Sequence, residues 1–310
     1  MGSREDRAIT VSIVIITKDT RELLKNCLGS IAKDTSLARL GIETIIIDNA
    51  STDGTDVMVR EEFPDAVYIR NDVNAGFAAA VNSAGSVARG RYILLLNSDT
   101  LLIEGEIVKM TDIADAVDNS GILGPQLVYE DLKLQRSVAS IPRFIGEALP
   151  GSQRRSRNGP SHEVNDVESL IGAAILIRKS AFDAIDGFDE RFFFFLEETD
   201  FCLRLKHAGY RVLFCPFVRV VHLQGKTVRK NWVKGRMEYN ISLRKFIRKH
   251  HSRLYGLAFD SVKFFKALLF IVLMPFLLIG ERSRLKYLYY CKLVDWYFSG
   301  CPDTAGLRGK

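Results

Sequence analysis

Between residues 11 and 96, short β-branched runs alternate with amphipathic stretches, and this rhythm constrains the fold more than any other feature of the chain. VSIVIIT (11–17) is almost continuously apolar, as a strand buried on both faces requires. Residues 20–33 then set Leu23, Leu24, Cys27, Leu28 and Ile31 at helical spacing. TIIID (44–48), a helix from about Thr55, a short strand at 67–70, an Ala-rich helix at 77–88 and YILLL (92–96) complete a βαβαβαβ series. Such a series predicts an α/β fold with a Rossmann-like, mostly parallel sheet flanked by helices.

In sheets of this kind, ligands bind at the carboxyl ends of the strands. Those ends read Thr17-Lys18-Asp19, Asp48-Asn49 and Asn97-Ser98-Asp99, so three strands deliver Asp19, Asp48 and Asp99 towards one edge. Single loop aspartates are common turn residues; the convergence of three is what points to a site. A carboxylate at a strand end offers a hard divalent cation an oxygen ligand at a fixed position. Asp48 is placed to accept a hydrogen bond from a base N–H. Asn74-Ala75-Gly76 opens the Ala-rich helix, whose free N–H groups suit a phosphate, and Asn82 lies on that helix.

Further on, residues 143–166 lack periodicity and collect Gly, Pro, Ser and Arg, which reads as a long mobile loop or lid. An apolar run follows, containing Gly172-Ala173-Ala174, then the aromatic string Phe192–Phe195 and a helix from about Glu197 to Ala208. That helix opens Glu197-Glu198-Thr199-Asp200, three carboxylates in four residues directly after apolar ones. The helix dipole offsets part of that cost; a catalytic base that deprotonates an acceptor hydroxyl accounts for the rest. Strand-like 211–215 and 217–222 end at His222, which is either a core histidine or a metal ligand.

Charge divides the chain. Residues 1–225 carry 25 Lys+Arg against 32 Asp+Glu, and residues 226–310 carry 18 against 5, an acidic body with a basic tail. A chain that is 47% hydrophobic is neither disordered nor a coiled-coil rod. Five scattered cysteines without metal spacing, and an N-terminus without an apolar signal region, predict reduced thiols and a cytoplasmic location.

Taken in order, VSIVIIT, IIIDNASTDGT, NAGFAAAVN, LLLNSD, GAAILIRKSAF, GFDERFFFFLEETDFCLR, HAGYRV and VVHLQGKT resemble the inverting glycosyltransferase family 2 with its GT-A fold, and most closely its bacterial rhamnosyltransferase-type branch. The resemblance covers residues 11 to about 227 and implies a GT-A domain at 8–225. It implies that Thr17, Asp19 and Asp48 contact the nucleoside, with Asn74, Gly76, Asn82 and Ser98 also on the nucleotide side. Asp99 and His222 would hold Mg2+ or Mn2+. Glu198 takes the position of the catalytic base, with Glu197 beside it orienting the acceptor, and Gly172 and Asp200 lie on the acceptor side. The sequence departs from the family where Asn97 and Glu198 replace the commoner Asp, and where Lys18-Asp19 replaces Tyr-Asn or Arg-Asn. The implied donor is dTDP-rhamnose, or a UDP-sugar, and the implied acceptor is a glycan or a polyprenyl-linked glycan of bacterial surface polysaccharide such as O-antigen.

The tail, 226–310, reads as a basic and apolar helical extension. Residues 226–255 hold ten Lys+Arg and one acid, Glu238, without the signatures of nucleic-acid readers. ALLFIVLMPFLLIG (267–280) is too short for a clean membrane span. With flanking cations, and with Tyr287, Tyr289, Tyr290, Trp296 and Tyr297 as interfacial rings, it predicts attachment to an anionic membrane surface at the inner face of the plasma membrane. Homodimer packing through the same helix competes with that reading. Two further alternatives to a transferase remain: a nucleotidyltransferase on a similar sheet, and an inactive nucleotide-sugar-binding or membrane scaffold.

Overall fold

The computed structural model describes residues 8–144, 163–223, 232–273 and 281–308, with 281 and 282 described by their backbone alone. The chain divides into two compact units, one built from the first 224 residues and the other centred on residues 225–310. Among the described residues, 142–144 and 190–197 belong with the second unit.

The first unit opens as its rhythm predicts. β1 (Val11–Thr17), α1 (Arg21–Lys33), β2 (Ile42–Asp48), α2 (Thr55–Glu62), β3 (Val67–Arg70), α3 (Phe77–Val87) and β4 (Tyr92–Asn97) follow in order. β1 lies between β2 and β4, parallel to both, and β3 runs parallel on the outside of β2. Ile13, Ile15, Ile46, Leu94 and Leu96 on one face of the sheet and Val14, Ile45, Ile47, Ile93 and Leu95 on the other are all completely buried, which is why these strands need apolar residues on both faces. The register pairs Thr17 with Asp48, Asp48 with Arg70, and Ile16 with Asn97, so the carboxyl ends align along one edge.

The remainder follows no simple rhythm. β5 (Thr100–Leu102), α4 (Glu106–Ala116) and β6 (Ser120–Val128) come next, then the short β7 (Val138–Ala139), β8 (Asn165–Asp166) and β9 (Ser169–Leu170). β10 (Ala174–Arg178), α5 (Lys179–Ala184), α6 (Glu197–His207) and β11 (Arg211–His222) complete the unit. β10 inserts antiparallel between β4 and β6, β11 runs parallel to β6, and β5 closes the edge antiparallel to β11. The sheet is therefore parallel in its first half and mixed in its second.

The two strands expected at 211–215 and 217–222 are one strand, β11, with a register shift between Cys215 and Arg219. Pro216 offers no N–H to the ladder, so the strand accommodates it by that irregularity instead of ending there. Of the expected lid, 145–162 lies outside the described residues, and at its far end β8 pairs with β11 while Asp166 ion-pairs with Arg211 at 2.6 Å.

The second unit contains α7 (Trp232–His250), α8 (Arg253–Leu273) and α9 (Glu281–Phe298). Its core joins Met237, Ile241, Ala267, Tyr289, Leu293 and Trp296. For Tyr289, Tyr290, Trp296 and Tyr297 this corrects the reading of the tail aromatics as interfacial rings. Tyr289 and Trp296 are buried, Tyr290 stacks on Phe270 at 4.6 Å, and Tyr297 packs edge-on against Phe264. Glu238, the lone acid of the basic stretch, is fully buried and accepts the Leu307 N–H. Residues 226–231 and 274–280 of the basic and apolar stretches lie outside the described residues. Within those described, no helix is long and apolar enough to cross a membrane.

Candidate active site

Thr17, at the end of β1, shares a hydroxyl chain with Thr20 and Ser98, each link 2.9 Å long, which ties the β1 and β4 ends together. Asp19 adopts a left-handed φ of 50° and accepts from the main-chain N–H and the hydroxyl of Thr52. Burial pulls its pKa upward, but the Thr52 N–H and the Lys18 ammonium outweigh it and hold Asp19 below the usual carboxylate range.

Asp48, expected to meet the nucleoside, is completely buried, accepting the Ser51 N–H at 2.8 Å and the Tyr68 hydroxyl, so it ties the 48–52 loop to β3. Burial and that same bond push the Tyr68 phenol up.

Gly76 caps α3 at φ 88° and ψ 175°, a conformation open essentially to glycine alone. Asn74 accepts the Gly76 N–H at 3.1 Å, and Asn49 donates to the Gly76 carbonyl at 3.2 Å, fixing the mouth of the helix. Further along α3, the Asn82 carboxamide clasps the Phe188 main chain in both directions, donating to its carbonyl and accepting its N–H at 2.8 Å.

Asp99 follows β4, and His222 ends β11. Pairing of His222 with Thr100 brings Nε2 to 3.4 Å from Asp99 Oδ1. The tautomer follows from Gln135. Its amide nitrogen donates to the carbonyls of His222 (2.5 Å) and Val128 (3.2 Å), so its oxygen must be the acceptor facing His222 Nδ1 at 3.0 Å. Nδ1 thus donates to Gln135, and Nε2 faces the Asp99 carboxylate. Those two groups oppose each other unless a cation or proton lies between them, and a histidine oriented by its second nitrogen is the usual form of a metal ligand. Among the described residues no third His, Cys, Asp or Glu joins them. Such a donor set fits a divalent cation that completes its shell with water and phosphate oxygens.

The surroundings of Glu198, the expected base, are set by the turn that leads into β10. The Asn97 N–H donates to the Ala173 carbonyl at 2.9 Å, which sets Gly172 beside the β4 end. A β-carbon built on Gly172 would lie 3.6 Å from Glu198 Cβ and 3.7 Å from its Cγ, so glycine leaves room for that side chain. The residue is partly exposed, but its Oε2 is buried without a hydrogen-bond partner among the described residues. Burial pushes the Glu198 carboxyl up to about 7, against the opposing pull of the Glu198 and Thr199 N–H groups at the helix start. A carboxylate poised near neutrality, with one oxygen unused, suits proton abstraction.

Glu197 is buried as the first residue of α6, after Phe195 and Leu196 at left-handed φ values of 70° and 64°. Such bulky residues store about 1–3 kcal/mol each in that region. Asp200, expected on the acceptor side, is completely buried and paired with Arg204 at 2.8 Å. Arg204 in turn donates to the Ile185 and Gly187 carbonyls at 2.6 Å. Asp200→Ala should therefore leave the half-buried Arg204 guanidinium without its carboxylate and cost about 1–3 kcal/mol, read as a lower denaturant midpoint.

Sequence reasoning missed Arg204, Gln135, Thr20 and Tyr68. Only Arg204 left a local signal, standing four residues after Asp200 on one helix.

A family profile described as "Glycosyl transferase family 2" matches residues 12–185, and one described as "N-terminal domain of galactosyltransferase" matches 155–226. An N-acetylglucosaminyl-diphospho-decaprenol L-rhamnosyltransferase of Mycobacterium tuberculosis is 25% identical over 77% of this chain and 84% of its own length. Among solved structures, a mannosyltransferase of Pyrobaculum calidifontis in complex with GDP-Man and Mn2+ superposes with a TM-score of 0.57, at 14% identity over 96% of this chain and 88% of that one. GalNAc-T7 with UDP, GalNAc and Mn2+ gives 0.59, at 16% identity over 95% and 57%. At those identities, the likeness to both is one of fold, the GT-A fold of glycosyltransferases.

Proposed function

The chain belongs to glycosyltransferase family 2, and from that premise we propose that it moves L-rhamnose from dTDP-rhamnose to a hydroxyl of a polyprenyl-linked or other glycan acceptor in surface-polysaccharide synthesis. Rhamnose is supported by the name of the mycobacterial relative, and a UDP-sugar is the second candidate donor. Family membership leaves no place for the nucleotidyltransferase alternative. The observation that carries the reading is Glu198, its carboxyl raised by burial and held beside Gly172, in the turn that leads into the strand paired with β4.

In this mechanism Glu198 takes the proton of the acceptor hydroxyl as that oxygen attacks the anomeric carbon. The nucleoside diphosphate leaves from the opposite face with the electrons of the broken C–O bond, so the configuration inverts. Thr17, Ser98 and the N-terminus of α3 line the edge where the nucleotide would lie, with Gly76 giving it close approach. Asp99 and His222 would hold Mg2+ or Mn2+, whose charge stabilises the departing phosphate oxygens when bound. A lipid-linked acceptor places the enzyme at the inner face of the plasma membrane, without nucleic acid as a partner.

The test is thermal melting with dTDP, UDP, GDP and CMP, with and without Mn2+. A ligand at 100 times its dissociation constant stabilises by about 2.7 kcal/mol. The expected result is a manganese-dependent rise that is largest with dTDP. A larger rise with UDP would replace the donor, and none with any nucleotide would favour the inactive scaffold.

A further inference from the structure

A surface helix ordinarily turns polar residues to water and apolar ones to the core. α8 reverses this. Its buried positions are Gly256, Phe259 and Ala267, while Leu254, Leu257, Val262, Phe265, Leu269 and Val272 are between 38% and 79% exposed. At 3.6 residues per turn these six fall on one side of the helix with Ala258, Ser261 and Leu273, and no charged residue of α8 shares that side. The 21 residues make a stripe about 30 Å long, more apolar surface than a monomer normally leaves in water.

The surrounding charge selects the occupant. Residues 226–310 hold 18 basic and 5 acidic side chains, and the acids are largely spent within the unit. Asp260 pairs with Arg244 and Arg248, Asp303 pairs with Lys245 and Arg308, and Glu238 is buried. A second copy would bring the same excess of positive charge to the contact, whereas an anionic bilayer brings the opposite sign.

We propose that the outward face of α8 is a lipid-docking surface that lies in the headgroup region of an anionic membrane. It gives the membrane placement inferred above a definite contact face. Because vesicle binding involves no sugar transfer, the two readings fail separately.

The experiment is co-sedimentation of the full chain with vesicles of phosphatidylglycerol and phosphatidylcholine, against pure phosphatidylcholine, at low and high salt. Wild type should bind the mixed vesicles at low salt, and Phe265→Glu with Leu269→Glu should raise the lipid concentration for half-binding at least tenfold. Both positions are solvent-exposed, so the melting temperature should hold. If the double variant misfolds, Phe265→Trp supplies the readout: a blue-shifted emission with vesicles, beyond any change in wild type, that brominated lipid quenches. Absent binding, binding undiminished in the folded double variant, or an emission that vesicles leave unshifted in Phe265→Trp would overturn the proposal. A wild-type dimer that the double variant turns monomeric, without an effect on vesicles, would overturn it in favour of self-association.

Discussion

Glu198→Gln should lower the transfer rate by about 10²–10⁴ while leaving donor-nucleotide affinity unchanged, because only the step that needs a proton acceptor is lost. The companion signature is in pH. The wild-type base works when ionised, and burial raises its pKa to about 7. Activity should therefore climb through pH 7 and level off above it, and the residual activity of the variant should lack that rise. Stability should move the other way. The unfolded carboxyl ionises near 4.5 and the folded one near 7, so between those values the native state holds a proton that the unfolded state has released. Native stability at this site then falls as pH rises from 4.5 to 7. The glutamine does not titrate, so the variant should out-melt wild type above pH 7, by on the order of 1–3 kcal/mol. Wild-type turnover in Glu198→Gln, with the pH rise intact, would move the base elsewhere.

Asp99→Ala should erase the gain in nucleotide affinity that Mn2+ confers and leave the metal-free affinity where it is. Asp99 Oδ1 and His222 Nε2 face each other at 3.4 Å with no third ligand among the described residues, so removing either halves the protein's share of the shell. Titration calorimetry of dTDP with Mn2+ and then with EDTA reads this directly, and His222→Ala should behave alike. Gln135→Leu, which touches no metal, should weaken Mn2+ binding about 10–100-fold by freeing the His222 ring to turn. If Asp99→Ala keeps its manganese gain, the cation is held by other groups or is not needed.

Much of the parallel half of the sheet was legible because its signals are local. A two-sided buried strand must be apolar along its length, and the residue ending it lies at the sheet edge wherever the strand sits. That placed Thr17, Asp48 and Asp99 correctly in the fold. It did not reveal that Asp48 is buried under Tyr68, since that depends on how the β2–β3 pair is covered. Asp200 reads the same either way in sequence, an acid after two others, and only its bond to Arg204 separates it from Glu198.

By itself, the sequence determined the βα rhythm, the aligned strand-end polar residues and the acidic helix start, all of which follow from periodicity within a few residues. Tertiary structure decided the rest. The antiparallel insertion of β10 carries Gly172 to Asn97, so that Glu198 can lie beside it. The pairing of β11 with β5 brings His222 to Asp99 across more than a hundred residues of chain. In the tail, composition announced apolar and basic residues without saying which would be covered. Packing buried Tyr289 and Trp296 and left Phe265 outside, because burial is set by what the neighbouring helices supply and not by the hydrophobicity of the residue itself.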